Sequence, residues 1–257
     1  MSKMTVAAQL YTLREYTQTP EDIANTLKKV KKMGYNAVQL SGLGPVEPDE
    51  LKGILLENRI NACATHVSFE RLQNDLDNII KEHKLWDCKY VGVGSMPGEY
   101  SKNKEGYLKF VREASTIGRQ LQESGLEFIY HNHNFEFVKF GDKTGLDILF
   151  EESDPESFNF EIDTYWVQAG GADPASWINK VSGRMKVVHF KDMIVNNKGE
   201  QIMAEVGEGN LNWPAIIKAC EDTGVEWCAV EQDVCQRNPF KSLEISLNNL
   251  KKMGLDS

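Results

Sequence analysis

The sequence predicts a single-domain α/β chain folded as a (β/α)8 TIM barrel over residues 1–257, and three observations carry that expectation. The length is close to the roughly 250 residues typical of such a barrel. Eight short β-rich runs alternate with longer amphipathic stretches, the order that gives a parallel sheet covered by helices. No composition shift marks a linker between domains. An open doubly wound sheet is the structural alternative, but no GxGxxG follows the first run to mark a dinucleotide site.

The strand candidates in order are TVAAQLY, NAVQLSG, INACATHV, KYVGVGS, LEFIYHNH, FNFEID, MKVVHFKD and EWCAVEQD. Helical patterns begin near Pro20, Glu47, Phe69, Ser101, Gly145, Trp166, Trp213 and Pro239. Thr19-Pro20-Glu21-Asp22 and Asn212-Trp213-Pro214 each put a capping residue ahead of a helix with proline in or near the first turn. Gly34, Gly125 and Gly224 each stand between a helix and the next strand, where a left-handed residue ends the helix.

Charged residues at 26% and hydrophobic ones at 41% describe an ordinary globular chain rather than a disordered or membrane one. The N-terminal apolar stretch is broken by Gln9 and is too short for a signal or spanning segment. Cys63, Cys88, Cys220, Cys228 and Cys235 form no CxxC pair, so a reduced, cytoplasmic setting is expected. The formal net charge of −9 disfavours a nucleic-acid partner. The cluster Lys28, Lys29, Lys31 and Lys32 falls on an outer helix and reads as a solvated face.

Polar residues at the C-terminal ends of barrel strands converge on one rim although they are distant in sequence. Four of the five histidines fall there: His66 after strand three, His131 and His133 after strand five, and His189 after strand seven. His83 lies in a helical pattern and reads as a surface residue. Asp163 closes FNFEID and Glu231 follows WCAV, each a carboxylate ending an apolar run. Imidazole mixed with carboxylate suits Mn²⁺, Zn²⁺, Co²⁺ or Fe²⁺, with Mg²⁺ a less natural fit. Such an ion could stabilise charge developing on a carbonyl oxygen, with a nearby carboxylate as base.

At these residues the chain resembles the xylose isomerase-like barrel group of sugar phosphate isomerases and epimerases, which also contains endonuclease IV-type enzymes and inosose dehydratases. The resemblance spans nearly the whole chain and is most specific at IYHNHNFEF, EIDTYWVQAGG, VVHFKD, VGEGNLNW and VEQD, the pattern of a YHNH-bearing branch. It implies a divalent metal held by groups from strands five to eight, with Asp163, His189 and Glu231 matching three of them. On strand five, familiar members carry Glu where this chain has His131. Either His131 takes that place or Glu136 reaches back to it; the reading adopted makes His131 the ligand and turns Glu136 toward substrate as a second catalytic group beside Glu231.

Further rim residues follow from position. His66 and His133 are expected at the substrate, Lys191 and Asp192 at a hydroxyl or oxyanion, and Trp166 as an apolar platform for a sugar ring. Gln9 and Tyr11 share a face of strand one, where filling of the barrel interior is the plain alternative to a role at the site. The glycines of VGEGNLNW precede a helix start where barrels often hold phosphate, yet the segment offers Glu208 in place of a cation, so a non-phosphorylated sugar is favoured.

The expected function is metal-dependent isomerisation or epimerisation by proton abstraction beside the carbonyl of a ketose. A metal-dependent sugar lyase or dehydratase is the alternative. An abasic-site endonuclease fits the acidic chain poorly, and a non-catalytic sugar-binding barrel fits the intact acid and histidine set poorly. The expected partner is a small-molecule sugar, with neither nucleic acid nor membrane; a homo-oligomer is compatible with the sequence.

Overall fold

Alternation along each strand decides which side chains enter the barrel and which face its helices. The computed structural model describes residues 4–256. Its parallel strands are β1 (Thr5–Gln9), β2 (Ala37–Leu40), β3 (Asn61–His66), β4 (Tyr90–Val93), β5 (Glu127–His131), β6 (Phe158–Glu161), β7 (Val187–Phe190) and β8 (Trp227–Val230). They form one sheet in the order β6-β5-β4-β3-β2-β1-β8-β7. The ring closes between β6 and β7, where the Phe160 N–H donates to Arg184 O at 2.8 Å and the His189 N–H to Ile162 O at 2.9 Å. Asp163 and His189 face each other across that seam.

Ala7, Ala37, Cys63, Tyr90, Ile129 and Val187 form an apolar cluster inside the barrel. Two residues further along their strands stand Gln9, Gln39, His131 and His189, joined by Glu161, all buried. The intervening residues, such as Val6, Val38, Phe128, Phe160 and Val188, belong to the larger core beneath the helices. A dry layer therefore supports a polar layer at one end, where buried polar groups depend on one another for hydrogen bonds.

The helices are α1 (Pro20–Met33), α2 (Pro48–Asn58), α3 (Phe69–Asn74), α4 (Leu76–Trp86), α5 (Lys104–Glu123), α6 (Gly145–Glu152), α7 (Thr164–Ala169), α8 (Pro174–Lys180), α9 (Trp213–Thr223) and α10 (Pro239–Lys252). Thr19 caps α1 by accepting the Asp22 N–H at 3.1 Å, and Asn212 caps α9. Gly34 and Gly224 end these helices at φ 113° and 73°, in the region glycine adopts most cheaply. No described helix is long and apolar enough to cross a membrane.

Several expectations change. The helix sought near Ser101 begins at Lys104, because Asn103 caps it. The pattern near Trp166 divides into α7 and α8, each with an aspartate cap. Strand one stops at Gln9, whose side chain accepts the Tyr11 N–H at 3.1 Å and starts the 3-10 helix Leu10–Tyr16, so Tyr11 does not share a strand face with it. His83 is buried rather than on the surface: Thr65 Oγ1 lies 2.7 Å from Nε2 and Ile79 O lies 2.7 Å from Nδ1.

Asp192 also departs from its expected place at substrate. It opens a hairpin, Asp192–Val195 with Gln201–Ala204, and its buried carboxylate accepts the N–H groups of Gly207 (2.9 Å) and Gly209 (3.0 Å) and the Trp213 indole N–H (2.6 Å). The VGEGNLNW glycines thus point their donors at an internal anion. A Cβ on Gly209 would stand 2.3 Å from Asp192 Oδ1, which is why glycine is needed at that approach.

Candidate metal centre and substrate cavity

The strand ends bring His131, Asp163, His189 and Glu231 together as a buried group whose candidate ligand atoms lie within 4.8 Å of one another. His131 ends β5, His189 sits within β7, and Asp163 and Glu231 lie just past β6 and β8. His131 Nε2 is 3.2 Å from Asp163 Oδ2, and His189 Nδ1 is 3.1 Å from Glu231 Oε2. Asp163 Oδ1 accepts the Trp166 N–H at 2.8 Å as the cap of α7, which leaves its other oxygen toward the histidines.

The far ring nitrogens are also engaged. His131 Nδ1 lies 3.0 Å from Gly94 O, a bond that places the proton there and leaves the Nε2 lone pair facing Asp163. His189 Nε2 lies 2.8 Å from Gln39 Oε1 and 3.2 Å from Glu161 Oε1; burial lowers its pKa but Glu161 and Glu231 prevail and hold it up at about 10, so a metal bound at Nδ1 would take the place of a proton there. Two imidazole nitrogens and two carboxylate oxygens in this spacing are the donor chemistry a divalent ion takes. The residues fit the metal that the sequence led us to expect.

Lys191 is wholly buried and its ammonium reaches three carboxylates: Asp163 at 3.3 Å, Glu231 at 2.8 Å and Asp233 at 2.5 Å. Burial works against both carboxylates, but Lys191 first, with the histidines after it, holds Asp163 and Glu231 below their ordinary pKa values. Both remain anionic donors at neutral pH.

Glu161 was not singled out by the sequence reading, although it shares a face with Asp163 two residues away in FNFEID. It is fully buried. Oε2 meets His66 Nε2 at 2.6 Å, while Oε1 faces His189 and accepts from Gln39 Nε2 at 2.8 Å. Burial raises its pKa and His189 and His66 lower it, the two histidines prevailing. Gln39 was missed too; its one visible sign is an amide in the middle of an apolar run.

A cavity of about 300 Å³ opens beside this group, lined by His66, His133, Glu231 and Asp233 with Tyr11 and Ser41 among its other walls. His66 and His133 thus both line this cavity. Nδ1 of His133 is buried without a hydrogen-bond partner, as are Nε2 of Gln9 and of Gln232. Asp233, within the VEQD motif, was not among the expected site residues.

Three expected residues stand elsewhere. Lys191 lies beneath the cavity among the carboxylates instead of lining it. Trp166 stands behind His133, its ring centroid 5.3 Å from that imidazole and 5.2 Å from Lys191 Nζ, and does not line the cavity either. Glu136 is fully buried and turned away: its carboxylate accepts the Tyr130 hydroxyl and the His133 N–H, the latter at 2.8 Å. Two satisfied donors, with a 3-10 turn over Phe135–Phe137, hold it behind His133.

Residues 27–253 match the xylose isomerase-like TIM barrel family, and the chain belongs to it. An inosose dehydratase of Lacticaseibacillus casei is 28% identical over 142 residues, covering 49% of this chain and 47% of that protein. The chain thus matches about half the length of such curated relatives. A sugar phosphate isomerase/epimerase from Parabacteroides distasonis superposes with a TM-score of 0.80 at 24% identity, covering 98% of each chain. A xylose isomerase-like TIM barrel protein from Mycobacterium smegmatis in complex with magnesium superposes with a TM-score of 0.75 at 13% identity, covering 97% of this chain and 95% of that one.

Proposed function

We propose that this protein is a metal-dependent sugar isomerase or epimerase that removes a proton from the carbon beside the carbonyl of a ketose. The observation that carries the reading is the cluster of His131, Asp163, His189 and Glu231, with Glu231 also lining the cavity. A divalent ion held by the four would stabilise the negative charge that develops on the substrate oxygen as the proton leaves.

The chain's own groups supply the rest. Glu231 is the anionic base facing the cavity, and Lys191 keeps it ionised. His66, fixed by Glu161, and His133, with its partnerless Nδ1, face the cavity as hydrogen-bond partners for sugar hydroxyls, and Glu231, once protonated, is the group that returns the proton. Glu136 holds the His133 backbone and has no direct part. The dehydratase reading shares these steps and adds loss of a hydroxyl from the next carbon; the resemblance to inosose dehydratases favours keeping it.

The test is incubation of the manganese-loaded protein with a panel of ketoses and inososes in D₂O. The proposal expects deuterium at the carbon beside the carbonyl in a product isobaric with its substrate apart from the label. Loss of water would assign the dehydratase reaction instead. Absence of both across the panel, with metal bound, would remove the proton-abstraction reading.

A further inference from the structure

Conversion of a ketose to an aldose moves a proton between carbons and another between oxygens, and Glu231 accounts only for the first. The second has to leave the hydroxyl oxygen on one carbon and arrive at the neighbouring oxygen that began as the carbonyl. Epimerisation leaves both oxygens as they were and needs no such transfer.

Ser41 directly follows β2, is buried, and lines the cavity together with Glu231. Its Oγ lies 3.4 Å from His66 Nδ1, while Nε2 of the same ring meets Glu161 Oε2 at 2.6 Å. Glu161 is steadied in turn by accepting from Gln39 Nε2 at 2.8 Å. With the imidazole proton committed to the carboxylate at Nε2, Nδ1 is left as an acceptor. The Ser41 hydroxyl therefore donates to it, and the lone pairs of Oγ remain for a substrate hydroxyl. The ring has room at this spot because Gly94 follows β4: a Cβ there would stand 2.7 Å from His66 Nδ1. A hydroxyl backed by an imidazole that a buried carboxylate orients is the arrangement that equips a serine to exchange protons, and its hydrogen bonds are commonly long before substrate enters. The other hydroxyls of the wall are placed differently. Ser68 accepts the Arg71 N–H at 3.2 Å as the cap of α3, and Ser95 and Tyr11 are exposed.

We infer that Ser41 is a further catalytic residue, which carries a proton between two adjacent oxygens of the sugar, and that the reaction at this site is accordingly the isomerisation of a free ketose to an aldose. This rests on the proton abstraction by Glu231 set out above. As Glu231 takes the proton from C1, the C1–C2 double bond forms and the carbonyl electron pair moves onto O2. Ser41 Oγ accepts the proton of O1 while the Ser41 proton passes to O2. The electron pair left on O1 then closes the new carbonyl at C1, and Glu231 gives its proton to C2. Both side chains end as they began, and the product is isomeric with the substrate.

The two proton movements can be read separately. Manganese-loaded wild type and Ser41→Ala are incubated with a panel of free ketopentoses and ketohexoses in D₂O, and both the aldose formed and the deuterium at C1 of the recovered ketose are followed by nuclear magnetic resonance. Wild type should form an aldose. Ser41→Ala should form it about 100-fold or more slowly, yet still place deuterium at C1, because Glu231 is untouched. Ser41→Gly is read in the same way should the first variant not bind manganese, and loss of manganese binding in both would make Ser41 a structural residue and overturn the inference. Unchanged aldose formation in the variant overturns it as well, and so does an equal fall of labelling and aldose, the mark of a residue that only holds substrate. A wild type that yields only an epimer or a dehydrated product removes the role of Ser41 and leaves proton abstraction by Glu231 standing. A wild type that binds manganese but gives neither label nor product removes the proton-abstraction reading, and this inference with it.

Discussion

Glu161 shows how much a single buried carboxylate can determine. With one oxygen on His66 and the other facing His189, it fixes which nitrogen of each ring carries the proton, and so which lone pair faces the metal donors and which faces the cavity. Loss of such a partner to a ligating histidine typically costs about 10–100-fold in metal affinity. Glu161→Ala should weaken manganese binding by that order in a chelator competition, with the fold intact by circular dichroism; unchanged affinity would show that His189 needs no orienting group. Glu136 makes the opposite case. Burial pushes its carboxyl up to about 8, against bonds from Tyr130 and His133 that favour the anion. A raised acid supports folding below its unfolded value near 4.5 and withdraws that support as pH climbs through about 8. Glu136→Gln, which can accept from His133 and donate to Tyr130, should therefore raise the Tm at pH 8 to 9 relative to wild type and spare metal binding and turnover. A collapse of turnover with metal retained would return Glu136 to the role of base. The sequence placed Glu136 near the site but carried no sign of its direction, which the turn after Asn134 sets.

At the scale of elements, local chemistry was the most readable layer. The caps at Thr19 and Asn212 and the left-handed Gly34, Gly125 and Gly224 stand where residue type alone put them. The hairpin at Asp192–Val195 was not read, because its first strand follows β7 almost without a break and the donors that hold the Asp192 carboxylate come from Gly207, Gly209 and Trp213, 15 or more positions away. Asp192→Ala would remove the acceptor of the Gly207 and Gly209 N–H groups and orphan the buried Trp213 indole N–H, and should cost about 1–3 kcal/mol, measured by denaturant unfolding. His83 tests the packing of α4 on β3. Its place one turn after Ile79 was the overlooked signal of an inward face. Burial lowers its pKa to about 4, ahead of the Ile79 bond that opposes the shift. Its contribution to stability is full above the unfolded value near 6.5 and is lost as pH falls through about 4. His83→Gln should flatten the stability profile across that window; an unchanged slope would mean that the imidazole titrates freely in the folded protein.

At the scale of the whole molecule, the site exists only because the strand pairings around the ring bring their ends together. Asp163 and His189 meet at the barrel seam and His131 pairs with Glu161 across β5 and β6, while Glu231 closes on Phe190 O. Strand-end polarity made that convergence legible, since His131, Asp163 and Glu231 each terminate an apolar run and His189 stands one residue from the end of another. The layer below it was not legible: Gln39 and Glu161 lie within the runs, where periodicity marks the inward face but not which inward residues meet around the ring. The central claim is that His131, Asp163, His189 and Glu231 hold one divalent ion. Anomalous diffraction from manganese-soaked crystals measures this directly: the account predicts a single strong peak bonded at about 2.0–2.2 Å to one atom from each of the four. A peak held instead by His66 and Glu161, or no peak among the four at saturating manganese, would contradict it.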